Sequence, residues 1–585
     1  MEHNVAHFPS LGKHTSFVQA STDGLVILIS GICKTTVQEI SQRHLTNINR
    51  WCASKGLKLS ALKSKAILFT NKRDNLLTNP LMVGNNQVPQ VTDTMYLGVT
   101  IDSKLSWGKH IQAKCTKAVQ HLQACNRAVG KTWGISPSGT RWIYNQIILP
   151  SLGYAALAWQ HRIDEAQYIK TKMQAIQRHA SIMISRGLKS SPLENLEIMA
   201  GIKPIDLKLK ELAILSARRL KINGNWNSNY HFSRTGNCKS HAYHLDKVMS
   251  AIPAMKCKIT DIIKTTTVLD RKFKTIIQDR SKATQQVGLT PTTHWAIFTD
   301  GSKIGKFSGA GYCVIRNSFE VHRQSFHLGT NATVYQCELF ALNTSAHWAT
   351  NNISEPGTIT FFSDSQAAIL AVTHLLVTSN LVLDTINHLN KLGQTHTVNV
   401  RWVPGHAGIP GNERADELAR EGSLTIALGP EPFISISEGT MKTAVKEYLH
   451  GIHLRRYKNT ALSEKGKIPL TMLLTKYKYR KLGLAGNHQR WLTWLFTGHS
   501  PLAYFQYKAN NFTSPRCEHC PEEEETSEHF MCTCMGYMTI RLRIFGHIFL
   551  TWEDIVTARI STVIKFIEAT NRLLKEDLFE DPINH

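Results

Sequence analysis

The spacing of apolar residues changes period along this chain, and each change predicts a different kind of element. Short apolar runs at 294–300, 309–317 and 319–328 predict three strands in close order. A helical period then covers 333–350, a strand 358–363, helical segments 365–377 and 381–392, a strand 397–403 and a last helix 412–421. Five strands with helices returning across them predict an α/β fold, a mixed five-stranded sheet with flanking helices. Upstream, Leu25–Cys33 reads as a buried strand, and helical spacing over 34–56 stops at Gly56, a C-cap residue type. Two strand-like runs follow, Ala66–Thr70 and Tyr96–Ile101, with a turn signal at Gly84–Asn86 between them. From 108 to 222 the pattern is helical, broken at Pro137, Pro150, Pro192 and Pro204. Residues 223–292 are polar and read as a linker with one helix near 260–280. Residues 440–585 read as a basic, mainly helical region. The chain therefore divides at 1–105, 106–222, 223–292, 293–424 and 440–585.

Composition adds a class of partner. At 585 residues the chain is too long for one core, and 42% hydrophobic with 19% charged residues belongs to a folded protein. Twelve cysteines are too few for a disulfide scaffold, and no apolar stretch reaches the roughly 20 residues that span a bilayer. The expected setting is intracellular, with nothing that separates nucleus from cytoplasm. Lys and Arg outnumber Asp and Glu by 68 to 43, a net of +25 that favours a polyanion such as nucleic acid. The charge is unevenly placed: 291–424 holds eight Lys/Arg against ten Asp/Glu, a net of −2, so the rest of the chain carries +27.

The candidate chemistry lies in that acidic stretch. Asp300 ends the strand HWAIFTD and Asp364 ends TITFFSD, while Glu338 lies in the helix YQCELFAL and Asp416 in GNERADELA. A carboxylate that ends an apolar strand is poorly placed for the core and well placed at a sheet's edge. Several acids converging there repel one another unless divalent cations neutralise them, and a hard, oxygen-rich site suits Mg²⁺ or Mn²⁺. His406 in the turn VPGHAG precedes Asp416 by ten residues, and an imidazole on a Gly-flexible loop can move protons.

The segments FTDGSK, YQCELFAL, FFSDSQAAI and WVPGHAGIPGNERADELA, in that order, resemble type-1 ribonuclease H over about 130 residues. The resemblance implies a ribonuclease H-like fold and two-metal cleavage of the RNA strand of an RNA–DNA hybrid, leaving a 5′-phosphate and a 3′-hydroxyl. It assigns two Mg²⁺ to Asp300, Glu338, Asp364 and Asp416, with Asp300 bridging both, Asp416 completing the nucleophile-side site and Glu338 with Asp364 the other. His406 would serve in proton movement or product release. Ser302, Gln366 and Asn412 are the candidate contacts to the hybrid's minor groove and 2′-hydroxyls.

Residues 17–160 resemble the palm end and thumb of a jockey-like non-LTR retrotransposon reverse transcriptase, through FVQASTDGLVILISG, NRWCASKGLKLSALKSKAILFT, YLGVTIDSKLSW and GKTWGISP. That family reads Tyr-Ala-Asp-Asp where this chain has Ser21, Thr22, Asp23 and Gly24, so the second acid is missing. The chain also begins some twenty residues before this point, which leaves no place for the other metal-binding palm strand. A truncated reverse-transcriptase remnant without polymerase activity is the expectation. The alternative function is a catalytically inactive nucleic-acid-binding remnant.

Near the end, residues 517–534 read CEHCPEEEETSEHFMCTC. Cys517 and Cys520 form a CxxC, His529 follows, and Cys532 or Cys534 completes a Cys₃His set suited to tetrahedral Zn²⁺, with His519 a competitor. The resembling retrotransposon proteins place a CCHC-like zinc knuckle here with the last Cys five beyond the His, which selects Cys534 and implies a structural Zn²⁺.

Overall fold

The computed structural model describes residues 16–21, 24–70, 76–129, 134–226, 241–256, 260–283, 294–425, 434–459, 469–474, 484 and 486–573. They fall into two compact units, one of Met1–Asp206 with Leu462–His585 and one of Leu207–Ala461. Among the described residues no helix is long and apolar enough to cross a membrane.

The second unit is built on strands β1 (Ile262–Thr267), β2 (Phe273–Ile276), β3 (Trp295–Ile304), β4 (Phe307–Arg316), β5 (Phe319–His327), β6 (Thr358–Ser363), β7 (Leu376–Ser379) and β8 (Thr397–Trp402). Helices α1 (Val334–Asn352), α2 (Gln366–Thr373), α3 (Asn380–Leu392), α4 (Pro410–Leu424) and α5 (Glu438–Lys458) accompany them. The main sheet has the order β5-β4-β3-β6-β8-β2. β3, β4 and β5 form an antiparallel meander, whereas β6 runs parallel to β3 and β8. The sheet is mixed, as expected, but it has six strands rather than five. The sixth comes from the stretch expected to be a linker: β2 pairs in parallel with β8 from Phe273↔Val398 to Ile276↔Arg401. Residues 260–280 thus hold the two strands β1 and β2 where a helix was expected. β1 pairs with β7, and Asp261 caps α3 by accepting from the Leu381 N–H at 2.9 Å and the Ser379 hydroxyl at 2.8 Å. Open strand edges need partners, and the β-branched run IIKTTT meets that need better than it builds a helix.

Alternation along the strands sends successive side chains to opposite faces. Ile297, Tyr312, Phe361 and Val400 pack with Leu339 and Leu342 of α1 and Ile386 and Leu389 of α3. Their neighbours Phe298, Cys313 and Phe362 pack on the other face with Ala415 and Leu418 of α4. The Phe298 and Phe362 rings stack at 4.7 Å. α4 lies close on β4 because Gly311 has no side chain: a Cβ there would sit 2.5 Å from the Ala419 nitrogen. α1 starts in a capping box, with the Thr333 hydroxyl accepting from the Gln336 N–H at 3.2 Å.

The other unit opens with the hairpin Ser16–Ser21/Gly24–Ile29, followed by a helix over Lys34–Ser54. The run Tyr96–Ile101 is not one strand. Leu97 and Gly98 both take positive φ and make the turn between Asp93–Tyr96 and Val99–Asp102. Ala66–Thr70 contributes only a single bridge, Ala66 to Gln90. Helices dominate from Gly108–Arg127 to Leu193–Ala200, with Pro137 at the start of one and Pro192 capping another. The expected 440–585 region is split: α5 belongs to the second unit, and residues from 462 onward to the other.

Candidate active site

Asp300 and Asp364 meet because β3 and β6 are parallel neighbours whose last registered pair is Thr299↔Ser363. The two acids occupy the next position on each strand. Asp300 does not end its strand, as the pattern suggested. β3 continues to Ile304 against β4, with Asp300 opposite Gly311, and only its pairing with β6 stops there. Glu338, on the second turn of α1, reaches the same place. Gly301 permits this, since a Cβ on it would lie 2.4 Å from the Glu338 nitrogen. Ligand oxygens of Asp300, Glu338 and Asp364 all lie within 4.8 Å of one another. α4 brings Asp416 and Asn412, and the turn after β8 brings His406, with φ of 51°. Together with Gly301 and Glu413 these residues line a cleft of about 180 Å³.

Electrostatics follow from that crowding. Asp300 and Glu338 are each only 6% exposed. Burial, and then the charge of Asp364, pushes the Asp300 carboxyl up to about 7, partly offset by a hydrogen bond from the Gly301 N–H. Burial and then Asp300 push Glu338 well above the carboxylate range, and burial followed by Asp416 raises Asp364. The Glu338 Oε2 is buried with no hydrogen-bond partner, and so is the Oδ1 of Asn412. Unpartnered buried oxygen beside crowded carboxylates is a donor set that a hard divalent cation satisfies.

The residue positions expected from sequence separate into two groups. Asp300, Glu338, Asp364, Asp416, His406 and Asn412 line one cleft; Ser302 and Gln366 lie outside its lining. The Ser302 carbonyl accepts from the Ser423 hydroxyl at 3.3 Å, and Gln366 is exposed at the first turn of α2. Three residues escaped the sequence reading. Glu413 stands one turn before Asp416, a spacing that could have revealed it. Arg420 stands one turn after it and pairs with both its oxygens, Nε to Oδ1 at 3.0 Å and a terminal nitrogen to Oδ2 at 2.9 Å. The Trp402 indole donates to the Asp364 carbonyl at 2.9 Å, a pairing that only the fold reveals.

The RNase H family matches residues 292–424. Over 140 residues the chain is 34% identical to ribonuclease H of Yersinia enterocolitica, covering 22% of this chain and 88% of that protein. The chain belongs to the ribonuclease H family. The chain is also similar to retrotransposon proteins. Over 208 residues the chain is 21% identical to the retrovirus-related Pol polyprotein from type-1 retrotransposable element R1 2 of Nasonia vitripennis, a match covering 34% of this chain. The chain spans half the length of that relative and 19% of a related 115 kDa protein from a Drosophila melanogaster R1 element. Among solved structures, RNase H1 from Halobacterium salinarum is 22% identical, with 22% of this chain and 96% of that chain covered and a TM-score of 0.19.

A second constellation lies in the other unit. Cys517, Cys520, His529 and Cys534 place one ligand atom each within 4.8 Å of all the others. The Cys534 sulfur lies 3.7 Å from that of Cys517 and 3.9 Å from that of Cys520. Sulfurs about 2.3 Å from a tetrahedral zinc stand about 3.8 Å apart. The His529 Nε2 is buried without a partner, while its Nδ1 meets the Thr533 hydroxyl at 3.3 Å. Burial, and then Cys517, pushes the Cys534 thiol up to about 12. Cys532 is buried outside the group, and His519 is exposed with its ring against Tyr537.

Proposed function

We propose that the acidic cleft hydrolyses the RNA strand of RNA–DNA hybrids in a reaction that requires divalent cations. The observation that carries this reading is the unpartnered Glu338 oxygen, clustered with Asp300 and Asp364 inside a ribonuclease H domain. Asp300, Glu338, Asp364 and Asp416 would hold two Mg²⁺ ions, with Mn²⁺ as a substitute. Bound cations supply charge neutralisation and Lewis acidity at the scissile phosphate. The chain's own residues orient and move protons. His406, exposed on its turn at the cleft, is placed to carry a proton between the reacting oxygens and bulk water. The Asn412 Oδ1 can accept from a 2′-hydroxyl, the group that separates RNA from DNA, with Ser302 and Gln366 as flanking contacts. In the net reaction the oxygen of water bonds to phosphorus and the bond to the 3′-oxygen breaks, which leaves a 3′-hydroxyl and a 5′-phosphate.

Two further assignments accompany it. Cys517, Cys520, His529 and Cys534 suit a structural Zn²⁺ by donor type and sulfur spacing. Polymerase chemistry is inferred absent, because Gly24 offers no carboxylate where the reverse-transcriptase pattern needs its second acid. Thr22 and Asp23 lie outside the described residues.

An end-labelled RNA–DNA hybrid, incubated with Mg²⁺, with a chelator and with the Asp364→Asn variant, tests the main reading. Cleavage of the RNA strand alone, lost in the chelator and in the variant, is expected. A hybrid that is bound but uncut in both Mg²⁺ and Mn²⁺ would leave the chain a binding remnant.

A further inference from the structure

Among the four carboxylates proposed to hold metal, Asp416 is not in the same state as the other three. Asp300, Glu338 and Asp364 gather within 4.8 Å, and Asp416 is not among them. Its charge raises both Asp300 and Asp364, and its carboxyl also hydrogen-bonds that of Asp300. Yet both of its oxygens are taken by the fork of Arg420, one turn further along α4, at 3.0 and 2.9 Å. A guanidinium fork matches a carboxylate at two points, so a cation that draws Asp416 towards the other acids works against these bonds. The Arg420 charge also opposes a divalent cation by simple repulsion.

We propose that Arg420 is a positioning residue that competes with the divalent cation for Asp416 and so sets how much metal the cleft requires. The inference rests on the reading of the acids as metal ligands. It assigns Arg420 two effects of one sign. The residue shields Asp416 from its acidic neighbours Asp300 and Asp364 when the cleft is empty of cations, and it makes this carboxylate available only against a competitor. The pair is partly exposed, with side-chain exposures of 54% for Arg420 and 24% for Asp416, so the effect is modest rather than absolute.

The test is Mn²⁺ binding to the full chain by titration calorimetry, without nucleic acid, for the wild type, Arg420→Gln, Arg420→Lys and Asp300→Asn. Arg420→Gln is expected to bind Mn²⁺ about three- to fivefold more tightly, and Arg420→Lys, which keeps the charge but loses the fork, to fall between. In an Asp416→Asn background most of the gain from Arg420→Gln should disappear. In hybrid cleavage, the Mg²⁺ concentration for half-maximal rate should fall by the same factor in Arg420→Gln. Unchanged or weaker Mn²⁺ binding in Arg420→Gln overturns the proposal. So does a full gain that persists without Asp416, since Arg420 would then act only through net charge. A raised KM for hybrid at unaltered metal affinity also overturns it and makes Arg420 a phosphate contact. If Asp300→Asn binds Mn²⁺ as well as the wild type, the metal reading of the acids fails, and that failure is separate from any behaviour of Arg420.

Discussion

At the scale of single residues, the cleft stores its instability in protonation. The Asp300 carboxyl is raised to about 7 in the folded chain, chiefly by burial, while an unfolded Asp titrates near 3.8. Between those values the unfolded chain releases a proton that the folded chain retains. The stability advantage of the protonated acid is therefore complete below about 4 and is lost as pH rises towards 7. Thermal melts without added divalent cations should show the ribonuclease H domain losing several degrees between pH 5 and pH 8, roughly 2–4 °C for each kcal/mol. Asp300→Asn should lose less over the same interval, and Mg²⁺ should restore the wild type but not the variant. An identical pH profile for both proteins would remove the acid cluster as the cause. At the other constellation the expectation is compositional: purified chain should carry one zinc, Cys534→Ser should lose it, and Cys532→Ser should keep it. Atomic absorption decides between the two cysteines, because only the Cys534 sulfur lies with the other ligands. That these acids gather in one cleft was legible in their order along the chain, two Asp in apolar strand runs and two acids in helical ones. Arg420 leaves a mark as well, four residues after Asp416 on one helix face, but the Trp402 contact was not legible, because a hydrogen bond to a carbonyl 38 residues away leaves no periodic mark.

At the scale of elements, the cleft exists because α4 can lie close on β4. A methyl group at Gly311 would meet the Ala419 nitrogen at 2.5 Å and the Leu418 Cβ at 2.6 Å, and neither backbone nor Cβ can swing aside. Gly311→Ala should force the helix off the sheet and destabilise the domain by about 1–3 kcal/mol, the usual penalty of overpacking. Because α4 carries Asp416 and Asn412, hybrid cleavage should fall by at least about tenfold while the other acids keep their places. Urea unfolding together with kcat separates the two effects, and unaltered activity in a destabilised protein would show that α4 can slide without disturbing the site. The apolar strands 358–363 and 397–402 and the capped helix after Thr333 were readable because local pattern and tertiary role agree there. β2 was not readable. Its four residues are half-buried edge structure in a polar stretch, and they form a strand only because β8 presents an unpaired edge. The same holds for Leu97–Gly98, where the apolar run conceals a turn set by two positive φ values.

At the scale of the whole molecule, the charge distribution separates cutting from gripping. The ribonuclease H domain spends much of its positive charge on itself. Arg316 pairs with Glu355, Arg323 and Arg414 with Glu320, and Arg420 with Asp416, while Lys303 donates to the carbonyls of Thr330 and Ala332. A domain at −2 that pairs most of its arginines internally has little left for a phosphate backbone, while the remainder of the chain carries +27. Affinity for a hybrid should therefore come from outside the domain and be dominated by release of condensed counterions. For six to ten neutralised phosphates, raising salt from 50 to 200 mM weakens binding by about 10³- to 10⁵-fold, whereas two phosphates cost only about tenfold. Fluorescence anisotropy with the cleavage-deficient Asp364→Asn chain and a labelled hybrid should show a loss of at least about a hundredfold over that range. The kcat of the wild-type chain at saturating hybrid should change little, since salt screens the encounter more than the buried acids. A loss near tenfold would mean that the basic remainder does not touch the duplex, and that the cleft meets its substrate with only the few cations of its own domain.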